Sequence, residues 1–335
     1  MTIRPRRWLP GALAATVWLG AAMAAIAPGF QPIPLTVEPI DSFGPTDAAT
    51  GNLIFRGGLA LSSPDRRFGS LSGLDFASDG TLYAVSDRGR WFAARPIEHD
   101  GRLAGLEEAR IAPILNHGGV PLAGKKWGDA EGLRIVRTAE GDTAFVAFEQ
   151  VNDLRVFVGN DFARVASEPV GLPASLTAIR RNGGLETVAV TRADGPHAGA
   201  PIVIAEKSLD AAGNHRAWIV NGPRAGAFSI ARDGGFDITD AAALPDGDLL
   251  ILERGLQLPF GLAVRIRRIA EYDIAPGRVA TGPVIFEADL RNPIDNMEGI
   301  AVRTGDDGET IIALISDDNN NGLQRTLLLY FALVE

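Results

Sequence analysis

The sequence predicts an all-β chain folded as a β-propeller, and three observations carry that prediction. A stretch of strand, tight turn, strand and closing acid recurs at a near-constant spacing. Asp-Gly or Glu-Gly turns separate short apolar runs. Composition is rich in Gly and Pro, with 39 and 21 of 335 residues, and no segment shows a strong helical period. The clearest copy runs from Ser72 to Gly89, SGLDFASDGTLYAVSDRG. Its Asp79-Gly80 pair between apolar runs is a strong hairpin signal, because Gly tolerates the positive φ that such turns require.

Four further copies follow. Glu131-Gly132-Leu133 leads to the strand Thr143–Phe148 and Glu149. Glu186-Thr187-Val188 leads to Ile202–Ala205 and Glu206. Thr239-Asp240-Ala241 leads to Leu249–Leu252 and Glu253, and Glu298-Gly299-Ile300 to Thr310–Ser316 and Asp317. The steps between copies are about 59, 55, 53 and 59 residues, a period that fits propeller blades with long loops. Five blades are expected. A sixth would have to lie in 97–128 or 207–236.

Along the chain, residues 1–24 read as a signal peptide. Arg4, Arg6 and Arg7 form a positive start, Leu9 to Ala27 is apolar, and Ala22-Met23-Ala24 supplies a small-x-small cleavage pattern. The expectation is an exported, periplasmic or secreted protein with no stable membrane insertion after cleavage. Residues 25–52 read as an extended, Pro-rich entry, and 53–335 as the propeller domain. The strand Leu53 to Leu61 is expected to complete the last blade, which has only Thr326–Val334 left after Asp317; closing the ring removes an exposed sheet edge. Leu154–Val158, Ala217–Val220 and Val264–Ile269 are expected as outer strands, with Arg265, Arg267 and Arg268 half exposed.

The formal charge of −9 argues against nucleic acid as a partner, since phosphate binding wants a basic face. Cysteine is absent, so thiols say nothing about compartment. Gly69-Ser70-Leu71-Ser72-Gly73 has Leu71 where a nucleophile elbow needs Ser. No HExxH or phosphate loop occurs, and His99, His117, His197 and His215 lack metal-ligand spacing. His117 and His197 read as loop residues at the surface.

Carboxylates remain. Neighbouring strands of a hairpin are antiparallel, so the start of the first and the end of the second lie at one end of a blade. Glu131, Glu186, Asp240 and Glu298 open first strands, and Asp87, Glu149, Glu206, Glu253 and Asp317 close second strands. A propeller would gather most of them at one mouth of its channel. Such crowding requires raised pKa values, basic partners or a divalent cation; Arg88, Lys125, Lys126, Lys207, Arg254 and Arg325 are the available bases. Hard oxygen ligands select calcium or magnesium, and calcium is expected, with Asp87, Glu149, Glu298 and Asp317 as its ligands and Glu131 converging within reach of the same cation. Asp317-Asp318-Asn319-Asn320-Asn321-Gly322 fits the first half of a calcium loop, but Leu328 stands where the loop's Glu belongs. An Asn-rich turn explains the run equally well.

These residues also carry a resemblance. Arg56-Gly57-Gly58-Leu59 through Ser72-Gly73-Leu74 to Ser86-Asp87-Arg88-Gly89 resembles the start of the phytase-like family, whose description is esterase-like activity of phytase. Asp129-Ala130-Glu131-Gly132 with Phe148-Glu149, Asn182 to Glu186, and Asn296-Met297-Glu298-Gly299-Ile300 resemble its internal acidic motifs. Ser316-Asp317-Asp318-Asn319 with Gln324-Arg325-Thr326-Leu327-Leu328 resembles its closing motif. The resemblance implies an exported propeller and hydrolysis of esters or phosphate esters. It departs at Thr187-Val188 and at Thr239-Asp240-Ala241, where the Glu-Gly pair is altered or lost. In the hydrolase reading Glu131, Glu149 and Glu298 are the catalytic candidates, and Arg88, Lys126 and Arg254 hold a small anionic ester substrate. The alternative is a non-catalytic binding or scaffold propeller whose acids are structural.

Overall fold

The computed structural model describes residues 29–44, 51–179, 183–257, 259, 261–305 and 307–334. The expected signal peptide lies outside the described residues, as does Asn182. The described residues form five antiparallel-based sheets arranged as the blades of a ring, a β-propeller. Each blade opens with an inner strand: Leu71–Phe76, Ala130–Thr138, Leu185–Val190, Asp237–Ala243 and Met297–Thr304 in blades 1 to 5. Each inner strand packs against the inner strands of both neighbouring blades, which closes the ring around a central channel.

Asp and Gly set the hairpins as the sequence implies. Gly80, Gly141, Gly247 and Gly308 adopt positive φ between 82° and 113°, and the Asp79, Asp246 and Asp307 carboxylates each accept a backbone N–H two residues on. The segments 97–128 and 207–236 hold no sixth blade. They supply the outer strands of blades 1 and 3, Arg102–Pro113 and Gly226–Ile230.

Blade 5 joins the two ends of the described chain. Thr326–Leu333 pairs on one side with Thr310–Ser316 and on the other with Leu53–Ser62, Thr326 opposite Leu61 and Leu333 opposite Leu53. The Pro-rich entry adds edge strands: Thr36–Ile40 pairs with Leu53–Ser62, and Gln31–Pro32 with Arg102–Pro113. Pro is tolerated there because an edge position needs no ladder N–H.

The core lies between the blades, in apolar clusters shared by neighbouring sheets, such as Leu74, Ala84 and Phe92 with Ala313, Ile315 and Leu328. The inner strands approach so closely that a Cβ on Gly73, Gly132 or Gly299 would stand 2.5, 2.6 or 2.3 Å from backbone of the next blade. That contact is the physical reason for the Gly after Ser72, Glu131 and Glu298.

Two expectations about outer strands change. Leu154–Val158, Ala217–Val220 and Val264–Ile269 fall in third strands, each covered by a further strand. Arg265 and Arg267 are buried rather than half exposed, because both guanidiniums clamp the fully buried Glu253: Arg265 Nε donates to Oε2 at 2.7 Å and Arg267 Nη2 to Oε1 at 2.6 Å. No helix among the described residues is long and apolar enough to cross a membrane.

Candidate metal centre at the acidic mouth

The inner strands share one irregularity. Pairing with the second strand slips once near the start of each, between Leu71 and Leu74, Ala130 and Gly132, Leu185 and Thr187, Ile238 and Asp240, and Met297 and Gly299. The extra residue is therefore Ser72 (with Gly73), Glu131, Glu186, Thr239 and Glu298. A bulge re-aims its side chain, and here it sets three glutamates and two hydroxyls at equivalent positions around one mouth of the channel.

A second ring of residues closes the second strands. The backbone N–H groups of Asp87, Glu149, Glu206 and Asp317 donate to the carbonyls of Ser70, Asp129, Gly184 and Asn296, at 3.2, 3.0, 3.2 and 2.9 Å. In blade 4 the corresponding position is Arg254, which pairs with Asp237, while Glu253 pairs with Ile238 one residue earlier. Glu253 thus does not belong to the mouth: a shift of one residue turns a strand side chain to the opposite face. Asp240 also leaves the rim, because Thr239 takes the bulge. Its carboxylate instead meets Arg134 inside the channel at 2.8 Å.

Asp129, Glu131 and Glu149 each offer an oxygen, and the three oxygens lie within 4.8 Å of one another. Asp129 is fully buried, and its Oδ2 has no hydrogen-bond partner among the described residues. Glu149 is steered by the Gly183 N–H on Oε1 and by Gln150 Nε2 on Oε2 at 3.1 Å. Lys125, on the short Lys125–Gly128 helix, places Nζ 3.1 Å from both Asp87 Oδ2 and Asp129 Oδ1. Burial pushes the Asp129 carboxyl up to about 6, against the pull of Lys125 and with help from Glu149. Glu131 is held well above the carboxylate range by burial and by the charges of Asp129, Glu298 and Asp87. Burial, Glu206 and Glu131 do the same to Glu186.

Across the mouth, Glu298 is engaged by the Arg254 guanidinium and by Asn296 Nδ2 at 2.7 Å. Its carboxyl is nonetheless raised, because burial outweighs Arg254. Asp317 is raised to about 7 by burial, with Glu298 and Asp87 adding to it. The Asn run that follows forms turns. Asp317 Oδ1 accepts the Asn319 N–H, Asp318 Oδ1 those of Asn320 and Ser70, and Asn321 Oδ1 that of Leu323.

Of the four expected metal ligands, only Glu149 belongs to the close carboxylate group; Asp87, Glu298 and Asp317 flank it. Asp129 was not expected as a ligand, although it stands two residues before Glu131 in the same acidic motif. Among the expected substrate-holding bases, Arg254 faces the mouth but is engaged by Glu298, Asn296 and Glu206. Arg88 is exposed and lines a cavity of about 570 Å³ with Arg66, Arg325 and Asp318. Lys126 turns away, its Nζ 4.7 Å from the centre of the Trp127 ring, and Lys125 is the lysine that reaches the acids. His197 is buried rather than exposed. His215 is also buried, with Nδ1 2.8 Å from the Glu206 carbonyl.

The fold and this mouth define the chain as a propeller with a carboxylate-lined channel entrance. A family model described as phytase-like, esterase-like activity of phytase, matches residues 66–320; the chain belongs to this family. No curated protein matches it. Among solved structures it is similar to an α-L-arabinofuranosidase from Lactobacillus brevis at 11% identity, with 80% of this chain and 92% of that one covered and a TM-score of 0.48. An endo-arabinase from Bacteroides thetaiotaomicron VPI-5482 is 12% identical, with 88% and 98% covered and a TM-score of 0.45. A gluconolactonase from Xanthomonas campestris is 9% identical, with 91% and 98% covered and a TM-score of 0.41. These likenesses carry no inference about chemistry.

Proposed function

We propose that this protein is an exported, metal-dependent hydrolase of esters, phosphate esters included, and that Asp129, Glu131 and Glu149 hold a hard divalent cation, calcium in the first instance. The observation that carries the reading is the unpaired, fully buried Asp129 Oδ2 beside two further carboxylates. Three acids so close and so buried are costly without a compensating charge, and an all-oxygen donor set suits calcium or magnesium. Asp87, Glu298 and Asp317 shape the field around that group.

A bound divalent cation supplies Lewis acidity and lowers the pKa of water beside it. The chain's own residues do the rest. Gln150 and the Gly183 N–H orient Glu149. With a cation's charge beside it Glu131 would be ionised; aimed inward by its bulge, it takes a proton from water as the water oxygen bonds to the phosphorus or acyl carbon of the ester. As the bond to the ester oxygen breaks, Glu131 returns that proton to the oxygen, which leaves as the alcohol. Arg88 and Arg254 are the candidates for holding an anionic group on the substrate.

The test is hydrolysis of an aryl phosphate and an aryl ester, with calcium and with a chelator. Calcium-dependent turnover of either supports the reading, and no turnover of either overturns it. One observation favours a second, scaffold reading. Lys125, Lys207 and Arg254 already give Asp87, Asp129, Glu206 and Glu298 a cationic partner. Export rests on the Arg4 to Ala24 pattern, and sequencing the N-terminus of the mature protein tests it.

A further inference from the structure

Among the described residues, Lys125 is the only cationic side chain within ion-pair distance of the close carboxylate group. Its Nζ is shared: Asp129 Oδ1 and Asp87 Oδ2 each lie 3.1 Å away. The partners differ sharply in burial. The Asp129 side chain is fully buried, and that of Lys125 is 64% exposed. Residues 123–127 are all exposed, whereas 128–130 are buried. The chain is pinned just after the helix, where a Cβ on Gly128 would stand 3.1 Å from Gly89 Cα. There the Asp129 carbonyl accepts the Glu149 N–H at 3.0 Å. Ahead of that pin the helix has no side-chain cap, and its Trp127 and Gly128 N–H groups bond only to the Gly124 carbonyl. The flexible Lys125 stem can therefore swing out into water while Asp129 stays in place.

An ammonium and a divalent ion compete for the same carboxylate. Lys125 brings one charge on a mobile stem, and its cover of Asp129 is partial, since Oδ2 has no hydrogen-bond partner among the described residues. A divalent cation held by Asp129, Glu131 and Glu149 would set two positive charges beside Nζ, and like charges at that range repel. Asp87 gives the lysine a second carboxylate to fall back on, one that lies outside the close group. A lysine serving only as a strut needs neither the exposure nor the second partner. We propose that Lys125 is a tethered competitor for the cation site. In the metal-free chain it offsets the Asp129 charge, and when a cation binds it withdraws to Asp87 and water. It thereby sets the cation concentration at which the site fills. This inference rests on the reading of Asp129, Glu131 and Glu149 as a cation site.

The experiment titrates the mature protein with calcium and with magnesium by calorimetry, and circular dichroism confirms that each variant is folded. Lys125→Gln is expected to tighten cation binding by about tenfold, between the worth of an exposed ion pair and that of a buried one. Lys125→Arg keeps the charge and is expected to hold the affinity within about twofold of the unaltered protein. Lys126→Gln removes the same charge one residue away, from an Nζ that lies over the Trp127 ring, and should likewise change affinity by no more than about twofold. In chelator, Lys125→Gln is expected to melt below the unaltered protein; a strut would show that loss too, but not the tighter binding. Equal or weaker affinity in Lys125→Gln overturns the proposal and leaves the cation site standing. Equal tightening by Lys126→Gln also overturns it, because net charge alone then explains the effect. No binding of either cation by any of the four proteins sinks the cation site itself, and the proposal with it.

Discussion

Arg134 of blade 2 and Asp240 of blade 4 meet across the channel, Nη2 to Oδ2 at 2.8 Å, with both side chains almost fully buried. The same guanidinium donates to the Leu74 and Ala241 carbonyls at 2.9 Å. Asp240 Oδ2 also accepts the Ile300 N–H at 2.9 Å. One ion pair thus ties blades 1, 2, 4 and 5 below the acidic mouth. Removing Arg134 alone strands a buried carboxylate, so Arg134→Met is expected to cost about 3–5 kcal/mol. The double variant Arg134→Met, Asp240→Leu should recover much of that loss. Urea denaturation of the two checks both.

Calcium should stabilise the folded chain in proportion to its occupancy. A ligand that binds only the native form at a hundredfold excess over Kd adds about 2.7 kcal/mol. Glu149→Gln is expected to lose most of that increment, and Glu108→Gln, on an exposed strand position with φ 53°, to keep it. Melting temperature against calcium concentration reads the difference.

The pH dependence has a definite sign. Burial pushes the Asp129 carboxyl up to about 6 and that of Asp317 up to about 7 in the folded chain, above the ordinary 3.8, so the folded state holds these protons more tightly. Their stabilisation is complete below pH 3.8 and is lost as pH rises through about 7. Metal-free protein should therefore melt higher at pH 5 than at pH 8, and calcium, which favours the ionised forms, should shrink that gap. Asp317→Asn, which cannot ionise, should flatten the profile. Melting curves in chelator across that range decide it.

Close approach of inner strands makes Gly132 irreplaceable. A Cβ there would sit 2.6 Å from the Glu186 carbonyl oxygen, and backbone cannot rotate away. Gly132→Ala is expected to cost about 1–3 kcal/mol as overpacking. Gly171→Ala, with nothing within 4 Å, should be near neutral. Denaturation midpoints of the pair test the packing account.

The propeller was legible because its period and Asp-Gly turns are local signals, repeated five times. Glu131, Glu186 and Glu298 were legible as rim residues for the same reason, since strand starts recur in phase. Blade 4 was misread because Glu253 and Arg254 are adjacent, and a one-residue register shift is invisible without the partner strand. Lys125 and Lys126 are likewise equivalent in sequence, and only the turn of a four-residue helix separates them. Arg134 gave no warning, sitting inside an apolar strand whose partner lies 106 residues away. His197 looked like a surface residue because Gly and Pro surround it, yet tertiary packing buries it.

The joint in blade 5 also sets a timetable. Asn52 Nδ2 donates to the Val334 carbonyl, 282 residues further along. Because Thr326–Leu333 lies between its two partner strands, Leu53–Ser62 cannot reach its place in the sheet until the far end of the chain has emerged. At about 5–20 residues per second of synthesis, that strand waits roughly 15–55 s with an open edge. The ring therefore stays unlatched at blade 5 until Thr326–Leu333 has been delivered.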